Sequence, residues 1–160
     1  MKPSPTALTR RTLLAGFGGA ILTPAAAPWA PFPAHAQARP ALALRAWRDL
    51  AAPYPHPPEA CLVNFYDAGA RMGLHQDRDE QEFAAPVLSL SLGDTAVFRI
   101  GGVVRSDPTR SIKLASGDAL LLSGPSRLAY HGIDRLIPDS STLLKQPGRI
   151  NLTLRRVNPA

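Results

Sequence analysis

Cysteine is nearly absent from this chain: Cys61 is the only one in 160 residues. That excludes an intramolecular disulfide framework and any zinc or iron–sulfur site built from clustered thiolates. Flanked by Leu62 and Val63, Cys61 reads as a strand core residue, since apolar neighbours raise a thiol pKa rather than activate it. Charge is also sparse, at 19% Asp, Glu, Lys and Arg, whereas 45% of residues are hydrophobic. This balance excludes a charged disordered tail and supports one folded domain with a core. Long apolar runs are missing too. The segment Ala15 to Leu22 is far short of the roughly 20 residues of a membrane-spanning helix, so no membrane partner is expected.

Acidic residues are missing from the first 36 positions, which hold Lys2, Arg10 and Arg11. The pair Arg10-Arg11 stands just before the apolar segment, and Ala34-His35-Ala36 offers small residues at a cut before Gln37. A basic start, a short apolar run and such a site make up an export signal, here of twin-arginine type. Residues 1–36 are therefore expected to be a leader and residues 37–160 the folded domain. A working leader implies the periplasm, an unused one the cytoplasm. The net charge of +6 divides accordingly: three of the 18 basic residues lie in the leader, which leaves +3 on the domain.

The domain reads as all-β with one short preceding helix. Ala41 to Ala52 has helical spacing, with Leu42, Ala46 and Leu50 in one stripe, and Pro53, Pro55, Pro57 and Pro58 end it. Short β-rich runs follow at Ala60–Tyr66, Val87–Leu92, Ala96–Ile100, Ser111–Leu114, Ala119–Leu122 and Arg149–Arg156. Turn signals such as Gly93-Asp94, Asp107-Pro108 and Ser116-Gly117-Asp118 separate them, with Asp118 a structural turn residue. Many short strands without a second helix suggest a sandwich or jelly roll.

Three polar positions interrupt this pattern. In His75-Gln76-Asp77 an imidazole and a carboxylate two residues apart project to one side of an extended strand, and His131 follows downstream in Tyr130-His131-Gly132. Two histidines and one carboxylate on one face of a metal leave the opposite positions open, as in non-haem Fe(II) oxygenases. Each element alone also fits a surface strand or a strand-end histidine. His35 lies in the leader and His56 in the proline-rich connector. The last strand alternates Ile150, Leu152 and Leu154 against Arg149, Asn151, Thr153 and Arg155. Two arginines and an amide facing inward suit a dicarboxylate, because guanidinium binds carboxylate bidentately. An outer strand with a solvated face gives the same pattern. Asn64 and Tyr66 share a face of the first strand, and both can hydrogen-bond such a ligand.

The run Cys61-Leu-Val-Asn64-Phe-Tyr66-Asp-Ala-Gly69-Ala-Arg-Met-Gly-Leu-His75-Gln-Asp77-Arg-Asp79-Glu80 closely resembles the AlkB family of Fe(II)/2-oxoglutarate-dependent nucleic-acid demethylases. So do Ala85-Pro86-Val-Leu-Ser-Leu-Ser-Leu-Gly93, Gly101-Gly102, Ser116-Gly117-Asp118, Tyr130-His131-Gly132 and Arg149-Ile-Asn151-Leu-Thr-Leu-Arg155, over roughly residues 41–157. The resemblance implies a double-stranded β-helix, a jelly-roll relative of cupin-like form. It implies His75, Asp77 and His131 as ligands of Fe(II), and Asn64, Tyr66, Arg149, Asn151 and Arg155 as the site of 2-oxoglutarate, with O₂ as the other co-substrate. Asp79 matches a position that contacts the damaged base, and Arg105 one associated with the nucleic acid. Arg71, Arg78 and Arg110 are further candidates for contact with it.

The implied activity is oxidative removal of N-alkyl groups from bases, releasing formaldehyde, succinate and CO₂, on alkylated single-stranded DNA with RNA as the other option. The target base has to leave the stack to reach the iron. A monomer is expected. Against the family pattern, the sequence reads as the catalytic core without the N-terminal nucleotide-recognition lid, whose aromatic side chains stack on the flipped base. Trp47 and Tyr54 are the nearest upstream aromatics, and Trp47 reads as helix packing. Two alternatives stand beside the repair reading: an Fe/2-oxoglutarate hydroxylase of a small molecule, exported by the leader, and an inactive core.

Overall fold

The computed structural model describes residues 13–16, 38–51 and 54–159. Its one α-helix among these, α1 (Ala38–Leu50), begins three residues earlier than the apolar stripe predicts. Pro40 then falls in the first turn, where no intrahelical N–H bond is required. Buried Trp47 and Ala51 pack on Leu88 and Leu154, and the Trp47 indole N–H donates to the His56 carbonyl at 3.0 Å. Trp47 is thus helix packing, as its spacing suggests. Among the described residues no helix is long and apolar enough to cross a membrane.

The strands are β1 (Leu13–Gly16), β2 (Ala60–Tyr66), β3 (Met72–His75), β4 (Val87–Gly93), β5 (Thr95–Ile100), β6 (Arg110–Leu114), β7 (Ala119–Leu122), β8 (His131–Ile137) and β9 (Arg149–Arg155). They form two antiparallel sheets, ordered β1-β2-β9-β4-β7 and β3-β8-β5-β6. Two facing sheets with this interleaved order make the jelly roll expected from the spacing of strands and turns. Six strands lie within a residue of their predicted bounds. The other three, β1, β3 and β8, carry no clear alternation: β3 contains Gly73, and β8 interrupts its apolar residues with Gly132, Asp134 and Arg135.

Within the leader predicted over residues 1–36, Leu13–Gly16 pairs antiparallel with Ala60–Val63 at the edge of the larger sheet. Cleavage after Ala36 would remove this strand. The rest of the leader lies outside the described residues.

The core divides according to the sheets. Between them, Tyr66, Ala96, Phe98, Leu114, Ile133 and Leu136 form a buried cluster. On the outer face of the larger sheet, Leu88 and Leu154 meet α1, with Cys61 packed against them. Strand β9 is central to its sheet, paired with β2 along its whole length and with β4 from Arg149 to Leu154. Its inward row Arg149, Asn151 and Thr153 is therefore buried and has to be satisfied from within.

The turn ahead of β9 fixes where that row begins. Buried Asp94 accepts the Gly148 N–H at 2.9 Å and the Ser141 N–H at 3.2 Å, while its own N–H donates to the Gly148 carbonyl at 2.7 Å. Gly148 and Gly93 both have positive φ, 148° and 90°, which a side chain resists. In the smaller sheet, β8 approaches β3 so closely that a Cβ on Gly132 would lie 2.5 Å from the Met72 carbonyl oxygen and 2.9 Å from that of Gly73. Gly132→Ala should force these strands apart and cost about 1–3 kcal/mol, read from the urea midpoint. An unchanged midpoint contradicts this packing.

Candidate active site

A cavity of about 470 Å³ opens between the sheets, within the range of small-molecule sites. At one end stand His75, which closes β3, and His131, which opens β8; the two face each other across the strand pair. Their ring centroids are 4.5 Å apart. Asp77 lies two residues past the end of β3, not on the strand as the H-x-D spacing suggests. Its side chain still reaches the histidines, with Oδ1 3.8 Å from His75 Nε2 and Oδ2 3.7 Å from His131 Nε2. One ligand atom from each of the three lies within 4.8 Å of the others.

The imidazoles are held by the nitrogen that a metal would not use. His75 Nδ1 is 3.0 Å from the Gly73 carbonyl oxygen and His131 Nδ1 is 2.9 Å from that of Ala129. An Nδ1–H donated to a carbonyl leaves the Nε2 lone pair facing the cavity, the usual support for a metal-binding histidine. Burial beside Phe98, whose ring stacks 5.6 Å away, pushes the His131 pKa down. Asp77 and the Ala129 carbonyl oppose that shift. Desolvation therefore favours the neutral imidazole that a metal requires.

Away from the triad, the same cavity meets the polar row of β9. Arg149 is 1% exposed and its guanidinium lies 5.5 Å over the Tyr66 ring. Nη2 donates to Ser91 Oγ at 2.9 Å and to Asn151 Oδ1 at 2.7 Å. Ser89 also donates to that Asn151 oxygen at 2.7 Å, and Asn151 Nδ2 donates to Thr153 Oγ1 at 2.7 Å. Arg149 Nε and Nη1 are buried without a hydrogen-bond partner. A buried donor left unmade costs about 1–3 kcal/mol, and more when charged, so these N–H groups call for an anion. Burial also pulls the guanidinium pKa down, a shift that an arriving carboxylate would oppose.

Every residue expected to hold iron or 2-oxoglutarate lines this one cavity, as does Asp79, whereas Arg105, Arg71, Arg78 and Arg110 do not. Asn64 faces it from β2, in register with Asn151. Asp79 lines it but is solvent-exposed. Arg155 is not free for a ligand alone: Nη2 contacts Asp77 Oδ1 at 3.1 Å and Nη1 contacts Glu80 Oε1 at 2.8 Å, while Nε is buried and unpartnered. Arg105 is exposed outside the cavity; it donates to the Leu74 carbonyl at 2.8 Å and stands 5.7 Å over the Tyr130 ring. Arg71, Arg78 and Arg110 are exposed.

Three further residues of this neighbourhood are not singled out from the sequence. Gln76 donates to the Leu128 and Val103 carbonyls, Arg127 is buried beneath the site, and Glu80 is 4% exposed between two arginines. For Glu80 the acid-rich run Asp77-Arg78-Asp79-Glu80 was the available cue.

Residues 23–155 match the family described as the 2OG-Fe(II) oxygenase superfamily. The chain belongs to that superfamily. Its relatives in it are of the AlkB type. The chain is 68% identical over 104 residues to the alpha-ketoglutarate-dependent dioxygenase AlkB homolog of Caulobacter vibrioides, covering 65% of this chain and 47% of that protein. It is 42% identical over 109 residues to the DNA N(6)-methyladenine demethylase ALKBH1C of Arabidopsis thaliana, covering 62% of this chain and 24% of that one. The solved structure of OsALKBH1 superposes with a TM-score of 0.61 at 35% identity, covering 78% of this chain and 66% of that chain. The chain thus spans less than half the length of either of these two curated relatives.

The oxygenase fold is held by a row that is unsatisfied without a ligand, and this has a measurable consequence. Arg149→Met keeps the volume and removes the unpartnered donors, so the ligand-free variant should be as stable as the unsubstituted protein or up to about 1–3 kcal/mol more stable. Urea unfolding checks this, and a loss above about 1 kcal/mol contradicts it.

Proposed function

We propose that this protein is an Fe(II)/2-oxoglutarate-dependent dioxygenase that removes N-alkyl groups from nucleic-acid bases, releasing formaldehyde, succinate and CO₂. The observation that carries this reading is the pairing, in one cavity, of the His75, Asp77 and His131 cluster with the unused donors of Arg149.

His75, Asp77 and His131 hold the iron through two imidazole nitrogens and a carboxylate, a donor set that suits Fe(II) and leaves positions open. Bound there, iron supplies the O₂ activation that 2-oxoglutarate drives and that no side chain of this cavity supplies. Arg149 receives one carboxylate of 2-oxoglutarate through Nε and Nη1, a bidentate geometry that lysine does not reproduce. Tyr66, Asn64 and Asn151 flank that carboxylate. Arg155, beside Asp77, faces the metal-proximal end of the co-substrate with its remaining Nε donor. Phe98, Ile133 and Leu122 give the cavity apolar walls, which lower the local dielectric and strengthen each of these charge contacts.

At the mouth, Asp79 accepts a hydrogen bond from the exocyclic amino group of a flipped base. Arg105, outside the cavity on the strand-carbonyl side of His75, meets a phosphate. Alkylated single-stranded DNA is the substrate we favour, with RNA as the competing one. The AlkB names of the relatives support a nucleic-acid substrate.

Two measurements test the reading. Anaerobic addition of Fe(II) and 2-oxoglutarate to the protein should give a visible metal-to-ligand charge-transfer band, lost in His75→Ala. No band in the unsubstituted protein overturns the enzyme assignment. In air, oligonucleotides bearing 1-methyladenine or 3-methylcytosine should release formaldehyde in step with succinate, DNA and RNA being compared at equal length. Succinate formation without formaldehyde overturns the nucleic-acid reading and favours a small-molecule hydroxylase.

A further inference from the structure

Beneath the metal-ligand cluster four charged side chains form a chain that closes into a ring through the backbone carbonyl of Asp77. Arg127, 3% exposed, donates through Nη1 to the Asp77 backbone carbonyl at 2.9 Å and through Nη2 to Glu80 Oε2 at 3.1 Å. The other Glu80 oxygen, Oε1, accepts from Arg155 Nη1 at 2.8 Å, and Arg155 Nη2 returns to Asp77 Oδ1 at 3.1 Å. A third Arg127 donor, Nε, reaches the Ala85 carbonyl at 2.8 Å, and the Phe83 ring lies 5.6 Å from its guanidinium.

We infer that Glu80 and Arg127 are positioning residues: they fix Arg155 against one oxygen of Asp77, so that this carboxylate meets a metal through its other oxygen. The inference rests on the iron and 2-oxoglutarate reading above. Its physical content is a count of donors and acceptors. Arg155 contacts Asp77 Oδ1 at 3.1 Å, an oxygen that also lies 3.8 Å from His75 Nε2, whereas Oδ2 lies 3.7 Å from His131 Nε2 with no guanidinium on it. A carboxylate that used both oxygens would fill one more coordination position, of those the co-substrate and O₂ need. Arg155 could swing away from Asp77 were it not clamped by Glu80, and Glu80 in turn is clamped by Arg127.

The ring also ties together segments far apart in sequence. Arg127 stands four residues before His131 and grips the backbone of Asp77, while the Gln76 amide returns to the Leu128 carbonyl. The two metal-ligand segments are thereby cross-linked in both directions. Two arginines against two carboxylates leave the ring neutral, so it carries no net charge of its own into the interior.

The test uses Glu80→Gln and the double variant Glu80→Met with Arg127→Met. Glutamine keeps the shape of Glu80 but turns one acceptor into a donor, which opposes a guanidinium. The double variant replaces the buried pair by apolar side chains of similar volume, a change that buried ion pairs often tolerate without loss of stability. Both are compared with the unsubstituted protein in three ways: metal-free melting temperature, the visible spectrum of bound Co(II), and the 2-oxoglutarate concentration that half-saturates the Fe(II) charge-transfer band.

In a double variant that melts near the unsubstituted protein, the inference expects an altered Co(II) spectrum and a half-saturating concentration raised at least tenfold. Glu80→Gln is expected to shift both readings in the same direction. An unchanged Co(II) spectrum, or a half-saturation within twofold, overturns the inference. So does loss of folding in both variants, which assigns the ring to stability alone. If the unsubstituted protein forms no band, it is the iron and 2-oxoglutarate reading that falls, whatever the variants do.

Discussion

A guanidinium sealed inside a β-sheet protein, with three of its N–H groups unused, is the constraint on which this molecule turns. Arg149 enters from the centre of the larger sheet, where β2 and β4 flank it and the Asp94 turn sets its position. Sheet interiors normally face one another through apolar residues. Here β9 presents Arg149, Asn151 and Thr153 instead, and neighbouring strands answer with Asn64, Ser89 and Ser91. That network satisfies Nη2 and stops. The remaining donors, Nε and Nη1, are buried without a partner, and it is on them that the proposed anion site rests.

The second polar region is arranged differently. Around the His75, Asp77 and His131 cluster, every side chain is braced by a neighbour: carbonyls hold the imidazoles, and Arg155 holds the carboxylate. The two ends of the cavity are linked through one strand, since Arg149 and Arg155 sit at opposite ends of β9, about 20 Å apart along the backbone at 3.3 Å per residue. A single rigid element thus sets the distance between the proposed anion site and the His75, Asp77 and His131 cluster, which is a sounder support than loops.

Much of this was legible in the sequence. Val87–Gly93, Ala119–Leu122 and Arg149–Arg155 are aliphatic runs bounded by glycine or proline turns, and the alternation of β9 by itself pointed its arginines to one face. What escaped is instructive. β3 and β8 carry the two histidines, and their glycines and charged residues erase the period that marks a strand; Gly132 lets them approach closely. Asp77 reaches the cluster from beyond its strand because Arg127 holds its backbone, a contact 50 residues away that no local pattern encodes. Glu80 received no role from the sequence, because only tertiary pairing with two arginines buries it. The helix stripe was correct in kind and late by one turn at its start.

The most direct test of the account is a crystal structure grown anaerobically with Mn(II) and 2-oxoglutarate. It should have the metal on His75 Nε2, His131 Nε2 and one oxygen of Asp77, with the distal carboxylate of 2-oxoglutarate on Arg149 Nε and Nη1. A dicarboxylate bound elsewhere, with those two nitrogens still unpartnered, would contradict it.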